Sequence, residues 1–162
     1  MKWEDLKYNV YHEDGSLRDI YIRNVTHEDW KNWVEFVNAK YPIDFKIGNA
    51  HRGNKIDFDL VTSYWQNREQ ECLSASIDLG NIILNTFFFD KEEIDNDLAP
   101  AEIKSLEDHY KLLRYLSNIS ILLGRQVELT EESYQKTRQV LMAVDKDKVT
   151  FEQQRLNGIN GG

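Results

Sequence analysis

The sequence predicts an α+β fold: a mainly antiparallel sheet built from hairpins, with two principal helices, about residues 26–41 and 105–124, packed against it. Three observations lead there. Apolar and polar residues alternate around several turn signals, of which Gly80-Asn81 is the clearest. Two stretches repeat apolar residues at helical spacing behind a capping side chain. Hairpins outnumber strand-helix-strand units, which favours antiparallel pairing.

The elements follow in order. Residues 6–23 read as a hairpin about Asp14-Gly15-Ser16. That register sets Val10 opposite Ile20 and Tyr8 opposite Ile22, with Gly15 or Ser16 left-handed. Thr26 and Asp29 form a capping pair, Trp30, Trp33, Val34, Val37 and Tyr41 make the stripe behind it, and Pro42 ends the helix. "IDFKI" is a short strand and "GNAHRGNK", residues 48–55, a surface loop; Asp57 then caps a helix carrying Phe58, Val61, Tyr64 and Trp65, residues whose pattern also fits a strand.

The second hairpin turns at Gly80-Asn81 and pairs Leu79 with Ile82, Ile77 with Leu84, Ala75 with Thr86 and Leu73 with Phe88 on a core face. Its reverse face is mixed. An acidic connection follows, and then the best helix of the chain, capped by Ser105 and Asp108, striped with Leu106, Tyr110, Leu113, Leu116, Ile119 and Leu123, and stopped at Gly124. "QVELT" is a strand, residues 130–138 a short helix, and residues 140–152 a last hairpin turning at Asp145 to Lys148. No repeat or linker divides the chain, so residues 1–154 are expected to form one domain and residues 155–162 a disordered tail.

Composition narrows the function. With 162 residues, 41% apolar, the chain has the makings of one core. Its lone Cys72 rules out an intrachain disulfide, its charged start is unlike a secretory leader, and no apolar stretch is long enough to span a membrane; a cytoplasmic protein is expected. The net charge of −8 repels phosphate backbones and attracts basic partners, so no nucleic acid is expected as a ligand.

No catalytic, metal or cofactor site emerges. In "GNAHRGNK" Asn54 separates the second glycine from Lys55 and Ile56 stands near where a metal-binding hydroxyl belongs, so it is not a phosphate loop. "SYQK", residues 133–136, has the spacing of a serine with a lysine base but none of the companion motifs. The four histidines are isolated, Cys72 sits among acids that disfavour a thiolate, and Asp57 with Asp59 lacks a sugar-binding surround.

What stands out is the acid block Asp90, Glu92, Glu93, Asp95 and Asp97, following directly on Phe87 and Phe89. Its spacing misses the calcium-loop pattern. As partner-binding residues these seven suit a non-catalytic module, with the acids steering a basic protein and the phenylalanines anchoring it. In size, charge and α+β content the chain is similar to the small acidic cytosolic proteins with which bacteria neutralise nuclease toxins, and that likeness implies a toxin domain as the basic partner. Two other readings stand beside it: a small-ligand or enzymatic domain with a pocket lined by some of Tyr8, Trp30, Trp33, Tyr64, Trp65 and Tyr110, or an assembly subunit pairing through the edge of the last hairpin.

Overall fold

The computed structural model describes residues 1–132 and 139–152. Among the described residues nine antiparallel strands form one sheet, and four α-helices supply the apolar surface packed against it, the α+β arrangement expected. In chain order the elements are α1 (Trp3–Asn9), β1 (Arg18–Arg23), α2 (His27–Lys40), β2 (Ile43–Ile47), β3 (Ala50–Gly53), α3 (Phe58–Gln66), β4 (Leu73–Asp78), β5 (Ile83–Thr86), β6 (Glu93–Leu98), α4 (Leu106–Leu123), β7 (Val127–Glu131), β8 (Val140–Asp145) and β9 (Lys148–Phe151). The sheet runs β3-β2-β4-β5-β6-β1-β7-β8-β9.

Local chemistry accounts for most of these elements. Thr26 Oγ1 accepts from the Asp29 amide and Asp29 from the Thr26 amide, a closed capping box at the start of α2. Asp57 caps α3 and Ser105 caps α4, while Gly124 takes the left-handed conformation, φ 64°, that ends α4. Gly80 and Asn81 both have positive φ, the geometry that lets a two-residue turn follow the twist of β4 and β5. Ile77 pairs with Leu84 and Ala75 with Thr86 in the expected register.

Four expectations are corrected. The first hairpin does not form: residues 3–9 are α1, whose Leu6 enters the core, and β1 pairs with β6 and β7. Its acids in the first turn, Glu4 and Asp5, and Lys7 in the last suit a helix dipole. Gly15 is left-handed as expected, but within the loop between α1 and β1. There a wholly buried Arg18 donates to the carbonyls of Val10, His12 and Leu17 and to Ser16 Oγ, so the loop is held by a satisfied guanidinium.

The second correction is β3, an edge strand where a surface loop was expected; it pairs with β2 across a two-residue turn at Gly48. Third, the acidic connection is largely the strand β6, near the middle of the sheet. Fourth, Thr130 and Glu131 end β7 and do not begin a helix. The remainder of that expected helix, "SYQK" within it, and the expected tail lie outside the described residues.

The helices gather on the face of the sheet that carries Ile20, Ile22, Ile94, Asn96 and Leu98, around one cluster of buried apolar residues. A polar chain ties the layers together at its centre. Trp33 Nε1 of α2 donates to the Tyr115 hydroxyl of α4 at 3.1 Å, and that hydroxyl donates to Asn96 Oδ1 of β6 at 2.7 Å. All three side chains are buried, so each bond replaces water the fold has removed. No helix among the described residues is long and apolar enough to cross a membrane.

Candidate functional site

β6 holds the acids because its sequence alternates. In Glu93-Ile94-Asp95-Asn96-Asp97-Leu98, successive side chains point to opposite faces, so Ile94, Asn96 and Leu98 meet the helices and the three acids take the reverse face. Cross-strand register then adds neighbours. Asp97 lies opposite Asp19 on one side and Asn85 on the other, and Asp95 lies opposite Tyr21. The result is a concavity of about 420 Å³ whose lining includes Asp19, Tyr21, Asn85, Phe87, Phe89, Asp90, Glu93, Asp95, Asp97 and Glu132.

Of the seven residues expected to bind a partner, Phe87, Phe89, Asp90, Glu93, Asp95 and Asp97 line this space. Glu92 does not. It borders a separate crevice with Val25, His27, Trp30, Trp65 and Lys91, because the turn at residues 90–92 faces it the other way. Asp19, Tyr21, Asn85 and Glu132 join the site from distant parts of the chain, and only strand pairing brings them in. The alternation in residues 93–98 was a visible sign of a strand; nothing local marks Asp19 as its neighbour.

The electrostatics follow from this crowding. Burial pushes the Asp95 carboxyl up to about 6, and the charges of Glu93, Asp19 and Asp97 push the same way. Asp95 Oδ1 is buried with no hydrogen-bond partner among the described residues. Burial also raises Asp97, against a hydrogen bond from Asn85 Nδ2 at 3.1 Å, with Asp19 and Glu132 adding to the rise. Asp19 accepts from the Tyr21 hydroxyl at 3.2 Å, and Glu132 accepts from the Leu17 amide at 2.7 Å. The nearby Arg23 is engaged elsewhere: it pairs with Glu128 at 3.1 Å and lies 5.6 Å from the centre of the Tyr21 ring. Among the described residues no lysine or arginine forms an ion pair with Asp95 or Asp97, and none of the acids gathers into a metal-holding group.

The aromatic rim has its own geometry. β5 stops at Thr86, so the expected pairing of Leu73 with Phe88 is not part of the ladder. Phe88 instead adopts a left-handed φ of 56°, unusual for a bulky side chain, and sends its ring wholly into the core against Trp30 and Phe45. Phe87 and Phe89 are left outside, 37% and 59% exposed, stacked with centroids 5.3 Å apart and planes 14° from parallel.

Of the six aromatics of the second reading, Trp30 and Trp65 border the crevice that Glu92 faces, whereas Trp33 is wholly buried against Trp30 and Tyr8 and Tyr110 stand at the surface. The edge of the third reading exists as β9, at one end of the sheet.

No protein-family model matches the chain, and no curated protein matches its sequence. In structure the chain is similar to a chain in the crystal structure of the toxic C-terminal tip of CdiA from Pseudomonas aeruginosa in complex with an immune protein, with a TM-score of 0.51 and 12% identity over 83% of this chain and 97% of that one. At that identity the likeness is one of fold.

Proposed function

We propose that this protein is a non-catalytic binding module of the immunity type, which presents an acidic sheet face to a basic toxin domain in the cytoplasm. The observation that carries the reading is the concavity itself, where carboxylates from three parts of the chain converge beside two exposed, stacked phenylalanines. Asp95 and Asp97, both raised by burial there, cost a fold more than they return unless something cationic meets them. A fold shared with a structure that holds a toxin tip together with an immune protein supports a protein partner.

Phe87, Phe89, Asp90, Glu93, Asp95 and Asp97 are the contact residues of this reading, with Asp19 beside them. Glu92, facing another crevice, contributes only to the general field.

The test is co-purification with a toxin domain encoded beside this gene, at low and at high salt. A complex weakened by salt and by Asp90→Asn with Asp95→Asn supports the reading, since rim charges govern encounter and its salt dependence. A chain that captures no such domain, and retains only a small molecule from the cell, refutes it.

A further inference from the structure

The stacked phenylalanines are held too firmly to be incidental surface. Phe88, inverted between them, is locked by its buried ring, and its carbonyl accepts from Trp65 Nε1 at 2.8 Å. The Phe89 carbonyl accepts from Arg68 Nη2 at 2.6 Å. The backbone at residues 88 and 89 is therefore pinned to α3 and the turn that follows it, and the stacked rings meet a ligand with less ordering left to lose. The guanidinium of Arg68 itself lies over Tyr64, 5.0 Å from its ring centre, and no cation lies over either phenyl ring among the described residues.

What such a platform accepts is decided by its surroundings. An apolar side chain laid on the rings would desolvate Asp95 and Asp97 further and leave them uncompensated. A hydrated ammonium matches their charge but gains little from a flat aromatic surface. A guanidinium does both, since it stacks on rings through its face and turns its N–H fork to carboxylates in its own plane. A bare divalent ion is a poor fit, because among the described residues no three of the acids close on a common point.

We propose that Phe87 and Phe89 receive one arginine side chain of the basic partner, stacked on the ring pair and directed toward the carboxylates of the same concavity. This rests on the protein-binding reading above and names the contact at its centre. Trp65 and Arg68 act as positioning residues, through the Phe88 and Phe89 carbonyls.

The experiment titrates the isotope-labelled full chain with N-acetyl-arginine amide and, separately, N-acetyl-lysine amide at low salt, following the phenylalanine ring resonances. Arginine is expected to shift Phe87 and Phe89 and to bind about fivefold more tightly than lysine. The Phe87→Leu, Phe89→Leu double variant is expected to abolish that preference while keeping the amide spectrum of the folded chain. Equal binding of the two amides to the wild-type chain, or shifts confined to other residues, overturns the inference without need of any variant. A protein partner that binds this face but is unaffected when its contacting arginines become lysines also overturns it, and leaves the protein-binding reading intact. Arginine amide seated on the rings, with no protein partner found, upholds the platform and sinks that reading.

Discussion

Replacing Asp95 with asparagine should make the protein more stable at neutral pH, and by an amount the structure sets. The carboxyl is mostly buried on the reverse face of β6, flanked by Glu93, Asp97 and Asp19, and its pKa is raised to about 6 from an ordinary 3.8. Because the folded carboxyl keeps its proton to higher pH than the unfolded one, the folded state binds more protons between these values. Stability contributed at this position is therefore highest below about pH 4, falls as pH rises through the interval, and is fully lost above about 6. At about 1.4 kcal/mol per pH unit the gap corresponds to about 3 kcal/mol, and the remaining contact with water brings the working figure to about 2 kcal/mol. Asp95→Asn removes the charge and keeps the shape. Urea unfolding at pH 7.5 and at pH 4 should show a gain of about 2 kcal/mol at the higher pH and almost none at the lower, with an unchanged slope. An equal gain at both pH values, or a loss at pH 7.5, would refute the placement of this carboxylate in a crowded, poorly solvated site. A gain in stability joined to weaker partner binding is the signature of a residue retained for recognition.

Three further outcomes follow from the packing. Tyr115→Phe strands the Trp33 indole N–H and the Asn96 amide oxygen in the core, and should cost about 2 kcal/mol in denaturant unfolding with little change in the circular dichroism spectrum. Gly124→Ala places a side chain at φ 64° where no atom lies close enough to clash, so its cost of about 1 kcal/mol reports conformational strain alone; a cost near zero would mean that the helix ends elsewhere. Burial and then the positive amino terminus push His109 down to about 4 beside the Tyr11 hydroxyl, 2.7 Å away. Ring nitrogen shifts should show a neutral imidazole at pH 5.5. The stability this group contributes should be present above about 6.5 and lost as pH falls toward 4.

Much of the architecture was legible because its determinants are local. The Thr26 box, the Asp57 and Ser105 caps, the Gly124 stop and the Gly80-Asn81 turn each act within a few residues, and each appears where the chain spells it. Residues 6–23 misled because the alternation in β1 is real but its partners, β6 and β7, lie far along the chain, while the residues before it satisfy a short helix equally well.

The acid block shows the same division. Its charge, its neighbouring phenylalanines and even its period of two stand in the sequence. That the strand sits inside the sheet, that Asp19 and Asn85 face Asp97, that Glu92 turns away, and that Phe88 inverts so Phe87 and Phe89 can stack were settled only by tertiary structure. The physical reason is that charge and local backbone preference belong to residues taken a few at a time, whereas register, burial and the pKa values they raise arise between strands that the chain brings together only when it folds.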